Sequence, residues 1–118
     1  MRKQVLYSKL HMAAVTDSEI AYDGSITIDK NLLKEAGIKE YEKVLVANVS
    51  NGNRFETYAI SGGPGEIILN GATAHLGKKG DRVIIFSFCL LEREELDGHK
   101  PIKLFLDKEN NIVKRSGS

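Results

Sequence analysis

The run Val83-Ile84-Ile85-Phe86-Ser87-Phe88-Cys89-Leu90-Leu91 constrains this chain most. It is almost continuously apolar and rich in β-branched and aromatic side chains. It is also far shorter than the ~18 apolar residues of a membrane-spanning helix. Such a run reads as a central core strand, and a core strand needs partners on both sides. Gln4 to Leu10 reads as one partner strand and Ala13 to Thr16 as a second, short one. Val44 to Val49 and Arg54 to Ile60 are two β-rich runs around Asn51-Gly52, a pair suited to the positive backbone angles of a type I′ turn. Glu66 to Leu69 is short and apolar, and Pro101 to Leu106 reads as an edge strand.

One helix interrupts this pattern. Asp29 is its expected N-cap, Leu32, Leu33 and Ala36 form its apolar face, and Gly37 is its stop. Ser61-Gly62-Gly63-Pro64-Gly65 reads as a loop, and the tail from Lys114 to Ser118 as frayed. No repeat, linker or low-complexity stretch divides the 118 residues, so a single domain, 1–118, is expected. Many short strands with one or two short helices point to a mainly β, barrel-like fold. A chain this short encloses little space inside one core, so a site between subunits is expected if it is an enzyme.

Composition removes whole classes of function. With 17 Lys and Arg against 16 Asp and Glu, the net charge of +1 offers no basic face for nucleic acid. No segment reads as a membrane span, and Met1 to Leu10 lacks the apolar core of a signal peptide. The single cysteine, Cys89, lies in the core strand and reads as a small buried hydrophobe, as expected of a reduced, cytoplasmic protein. His11, His75 and His99 lack metal-ligand spacing, so no metal site is expected. Gly62-Gly63-Pro64-Gly65 is too short to cradle phosphates and reads as a surface turn.

One local element carries chemistry. In Ala21-Tyr22-Asp23-Gly24-Ser25-Ile26, a serine follows a glycine at a tip between two strands. Its hydroxyl can attack the Gly24 carbonyl if the bond is strained, because glycine removes the side-chain obstruction and permits unusual backbone angles. The amide then becomes an ester. Elimination leaves a dehydroalanine, and hydrolysis gives a pyruvoyl group and ammonia. Alone, Gly-Ser is an ordinary turn, and the surrounding motifs change its meaning.

Lys9-Leu10-His11, Tyr22-Asp23-Gly24-Ser25, Asn51-Gly52-Asn53-Arg54-Phe55, Thr57-Tyr58-Ala59-Ile60 and Asn70-Gly71-Ala72-Thr73-Ala74-His75 occur in this order, followed by Gly80-Asp81 and the apolar strand. Together, from Met1 to Leu91, they closely resemble the pyruvoyl-dependent aspartate 1-decarboxylases, which make β-alanine for pantothenate. The resemblance implies a double-psi β-barrel and a cytoplasmic homotetramer with active sites between subunits. It also implies a proenzyme that cuts itself between Gly24 and Ser25 into residues 1–24 and 25–118. The prosthetic group is then a covalent pyruvoyl made from Ser25. It forms a Schiff base with the amine of L-aspartate and acts as the electron sink, so neither metal nor pyridoxal phosphate is needed.

The same resemblance implies roles for individual residues. Tyr58 is the proton donor to the α-carbon. Thr57 steadies the Gly24 carbonyl during self-cleavage and also stands among the substrate-binding residues. Tyr22 and His11 support the processing loop. Arg54 forks onto the side-chain carboxylate that stays, since clamping the departing one would stabilise the ground state. Lys9 is a second anion contact, and Asn70, Gly71, Ala72 and Thr73 form a substrate-side loop. His75 reads as a packed structural histidine.

In a regular strand Arg54 and Tyr58 share a face, about 13 Å apart, with Thr57 on the other. Converging side chains, a bulge or a second subunit could reconcile them. Two positions depart from the family pattern: Ala47 stands where some relatives carry a bulky tryptophan, and Thr73 adds a hydroxyl to an alanine-rich stretch. Two alternatives remain open, a non-enzymatic β-barrel binding or assembly module and a decarboxylase of another acid such as glutamate.

Overall fold

The structure is a computed structural model describing residues 1–117. The apolar run forms β7 (Arg82–Glu92), held antiparallel between β1 (Arg2–Ala14) and β4 (Lys43–Asn48). Its inner side chains, Val83, Ile85 and Ser87, are buried, whereas Phe88 and Leu90 on the outer face are 41% and 55% exposed. The run is therefore continuous because both faces are apolar, although only one meets the core of this chain.

β1 is one strand where two were expected. The ladder to β7 shifts register between Leu6 and Ser8 and between Leu10 and Ala13, and Met12 takes a φ of 63°. A bulge absorbs the irregularity and lets one strand continue. Thr16 lies outside it, trading hydrogen bonds with the backbone of Ile67.

The expected hairpin joins β4 to β5 (Arg54–Gly62) with Ala47 opposite Arg54. Its connection is a longer loop, not a two-residue type I′ turn. Asn48 Oδ1 accepts from the Ser50 amide, Asn51 Oδ1 accepts from the Asn53 amide, and Gly52 alone in the loop takes a positive φ, 82°. Side-chain caps of this kind stabilise a wider loop. Ser61 and Gly62 belong to β5, where they pair with Ile28 and Asp29 of β3 (Ser25–Asp29), so the loop begins only at Gly63.

The helix α1 (Lys30–Ala36) has the expected ends: Asp29 Oδ1 accepts from the Asn31 amide at 2.8 Å, and Gly37 closes it at φ 69°. β6 (Ile67–Asn70) pairs antiparallel with β3 and parallel with β2 (Asp17–Glu19), and leads into a 3-10 turn, Gly71–His75. A short α2 (Arg93–Leu96) follows β7. β8 (Ile102–Leu106) is not an edge, because it runs parallel to β1 and is covered by β9 (Ile112–Ser116). The tail from Lys114 to Ser116 is thus a strand and not frayed, and Ser118 lies outside the described residues.

The strand order is β2-β6-β3-β5-β4-β7-β1-β8-β9, a predominantly β architecture with two short helices, as expected. The Thr16–Ile67 bonds, together with Asn110 bonded to both Ala14 and Gly65, draw distant parts of the sheet around a core that includes Leu10, Ile26, Ile28, Ile67, Leu69 and Ile85. That curvature fits the double-psi barrel. Ile26 and Ile28 face the core while Ser25 and Thr27, on the other face, are buried beside Asn70.

Candidate active site

Residues 20–24 form an exposed segment between β2 and β3, with Tyr22 61% exposed, and the next residue, Ser25, is 1% exposed. The Gly24–Ser25 bond therefore sits where the chain passes from solvent into the core. Ser25 Oγ donates to the Asp23 carbonyl at 3.2 Å and accepts from Asn70 Nδ2 at 3.0 Å. The same amide donates its second hydrogen to Thr27 Oγ1 at 2.9 Å. Asn70 is 1% exposed and is also the cross-strand partner of Ser25, so its side chain reaches the hydroxyl over the shortest available path. Thr73 Oγ1 lies 3.2 Å from the Ser25 carbonyl oxygen and 2.7 Å from that of Asn70.

Gly24 departs from expectation. It is not among the positive-φ residues, and a Cβ there meets nothing within 4 Å. The left-handed residue is Gly71 opposite, at φ 61°. A Cβ on Gly71 would stand 2.7 Å from Gly24 Cα, Gly24 N and the Tyr22 carbonyl oxygen. Open space surrounds the position of a Gly24 Cβ, and the stringent glycine is Gly71.

Thr57 and Tyr58 sit on β5, which runs parallel to β3 with Ala59 opposite Ile26. The paired ladder begins at Ile26 and Ala59, so Thr57 and Tyr58 lie on β5 just before the residue that faces the start of β3. Both side chains are half-buried and border a cavity of about 390 Å³ with Lys43 and Glu56. The Tyr58 ring lies 6.3 Å from that of Tyr41. A second cavity, about 460 Å³, is lined by Tyr22, Thr27, Asn70 and Glu66. Among the described residues no hydrogen bond joins Thr57 to Gly24.

Other expected site residues lie elsewhere in the chain. Arg54 is exposed at the start of β5, about 13 Å along the strand from Tyr58. Lys9 lies on β1, separated from β3 by three intervening strands in the sheet order, with Nζ 5.9 Å from the Phe105 ring centre. His11 tilts onto the same ring at 5.2 Å, with its Nδ1 buried and unpartnered, and no hydrogen bond or ring contact joins it to residues 20–24 among the described residues. Burial, then Lys9 and Arg82, hold its pKa below the usual 6.5. Ala72 is exposed, and so is His75, which is not packed as expected. Cys89 is half-buried, and burial and Glu95 raise its thiol pKa. Thr27 was not anticipated, although the two-residue alternation of a strand puts it on the face of Ser25.

Among the described residues no cluster of three or more His, Cys, Asp or Glu is placed to hold a metal, and no helix is long and apolar enough to cross a membrane.

The family profile for aspartate decarboxylase matches residues 1–113. An aspartate 1-decarboxylase of Caldicellulosiruptor bescii is 55% identical over 115 residues, covering 96% of this chain and 90% of the relative. One from Clostridium botulinum (strain 657 / Type Ba4) is 52% identical over 112 residues, covering 93% and 88%. One from Psychromonas ingrahamii is 49% identical over 118 residues, covering 98% and 94%.

Proposed function

The chain belongs to the aspartate decarboxylase family, and from that membership we propose that it removes the α-carboxylate of L-aspartate as carbon dioxide and releases β-alanine for pantothenate synthesis. The prosthetic group in this reading is a pyruvoyl made from Ser25 by self-cleavage after Gly24, leaving residues 1–24 and 25–118. Such a group supplies a keto carbon for the substrate amine and a conjugated carbonyl that draws electrons, with no call on metal or pyridoxal phosphate.

The observation that carries the reading is the setting of Ser25: a buried hydroxyl, anchored by Asn70, at the end of an exposed loop whose Gly24 side is open. Ser25 Oγ bonds to the Gly24 carbonyl carbon, and the carbon–nitrogen bond breaks. Elimination then leaves Oγ with Gly24 as a carboxylate. One water replaces the Ser25 nitrogen, which departs as ammonia.

Asn70 polarises the hydroxyl, and Thr57, on the neighbouring strand β5, donates to the developing oxyanion. Tyr58 delivers a proton to the substrate α-carbon. Arg54 and Lys9 bind substrate carboxylates and reach the site from a neighbouring subunit. The exposed Phe88 and Leu90 are covered in the same homotetramer. The single cysteine accords with a reducing cytoplasm.

Denaturing intact-mass analysis tests this directly. Two fragments meeting at Gly24/Ser25, the longer one lighter by ammonia than simple hydrolysis gives, are expected, with carbon dioxide released from L-aspartate faster than from L-glutamate. A Ser25→Ala chain that releases carbon dioxide like wild type would end the pyruvoyl reading.

A further inference from the structure

Of the polar atoms of Ser25, only one outlasts the conversion proposed above. The nitrogen leaves as ammonia and Oγ leaves with Gly24, but the carbonyl oxygen stays. The bond from Asn70 Nδ2 to Oγ therefore belongs to the uncut chain, while the contact from Thr73 reaches the atom that remains.

Thr73 is 7% exposed, and its single hydroxyl hydrogen has two acceptors, Asn70 O at 2.7 Å and Ser25 O at 3.2 Å. The first is the local back-bond of a threonine to the carbonyl three residues earlier. The second spans 48 residues of sequence and has no such local explanation.

Resting on the pyruvoyl reading, we infer that Thr73 is a catalytic residue of turnover, its hydroxyl donating to the Ser25 carbonyl oxygen as negative charge builds there. When the bond from the substrate α-carbon to its carboxylate breaks, carbon dioxide departs without the electron pair. The pair is drawn toward the Ser25 carbonyl oxygen and returns to the α-carbon when a proton arrives. No oxidant or reductant is consumed. With a neutral oxygen the hydroxyl hydrogen is shared between Asn70 O and Ser25 O; with a charged one it swings fully to Ser25 O. A donor that tightens only as charge develops lowers the barrier without tightening substrate binding.

Thr73→Val keeps the shape and removes the hydroxyl, and Thr73→Ser restores it. Thr73→Val is expected to self-cleave like wild type by intact mass, to lose kcat on the order of 100-fold, and to keep its KM for L-aspartate. Thr73→Ser is expected to recover kcat. In cleaved protein grown on serine carrying 13C at the carbonyl, the Ser25 carbonyl resonance is expected to move upfield in Thr73→Val, independently of turnover. Should circular dichroism show Thr73→Val misfolded, Thr73→Ala carries the same expectations. A cleaved valine variant with wild-type kcat, an unmoved carbonyl resonance, or failure to cleave would overturn the role. Wild-type protein that is never cut would instead remove the pyruvoyl reading, and this inference with it.

Discussion

Gly71 presses against Gly24 so closely that a Cβ at position 71 would lie 2.7 Å from Gly24 Cα, and Gly71 takes the left-handed φ of 61° that glycine adopts freely. The loop carrying Asn70 and Thr73 is thereby seated against the segment that presents Ser25. Gly71 gives way to the Gly24 backbone, while a Cβ at Gly24 itself would meet nothing within 4 Å.

Gly71→Ala is expected to force the two loops apart. Backbone atoms cannot yield as a flexible side chain would, and strained φ adds roughly 1–3 kcal/mol. Thermal unfolding is expected several degrees lower, with self-cleavage slowed at least tenfold by timed intact mass. Unchanged cleavage would show the close packing to be dispensable.

Asn70→Ala is expected to leave the hydroxyls of Ser25 and Thr27 without their shared donor in a buried site. Such losses cost about 1–3 kcal/mol. Denaturant unfolding checks the stability, and the fraction of uncut chain over time checks the chemistry. Both are expected to worsen, because the same amide that holds the strands together also orients Oγ.

Thr57→Val and Tyr58→Phe are expected to separate maturation from turnover. The first is expected to stay uncut, since its hydroxyl is the donor proposed for the oxyanion of self-cleavage. The second is expected to be cut normally and then to release carbon dioxide slowly. Cleavage by mass and gas release by assay read the two steps independently, and a Tyr58→Phe chain that stays uncut would move Tyr58 into maturation.

Ser25→Ala and Arg54→Ala chains, each inactive alone, are expected to regain part of the activity when co-expressed. Within one chain Arg54 stands about 13 Å along β5 from Tyr58, so a neighbouring subunit is the simplest donor of the guanidinium. Mixed oligomers then contain some sites with both residues intact. Absence of any recovery in verified hetero-oligomers would place both groups in one chain's site.

His11 sets a direction for pH dependence. Its folded pKa lies below 6.5, because burial and then the charges of Lys9 and Arg82 disfavour its protonation. The unfolded chain therefore binds the proton first, and stability falls as pH drops below about 6.5 toward the folded value. His11→Gln is expected to flatten this part of the stability–pH curve in denaturant titrations. An identical slope in both proteins would remove His11 as its source.

Much of the local structure was written in neighbouring residues. Asp29 and Gly37 bound the helix because an N-cap carboxylate and a left-handed glycine satisfy the free ends of a helix wherever it lies. The apolar run became an internal strand between β1 and β4, with alternate residues Val83 and Ile85 in the core. The Gly24–Ser25 bond proposed for self-cleavage was likewise legible locally, since glycine followed by serine is a statement about two adjacent residues.

Tertiary structure decided what distance along the chain conceals. Bulges near Met12 made one strand of two apparent ones, and side-chain bonds from Asn48 and Asn51 widened the hairpin loop. Strand order sent Lys9 and His11 to Phe105, while the register of β3 against β6 brought Asn70 and Thr73 to Ser25. Caps and turns are set within a few residues by backbone angles and local hydrogen bonds. Which strands become neighbours is set by the burial of one shared core, and only that packing determines which side chains meet.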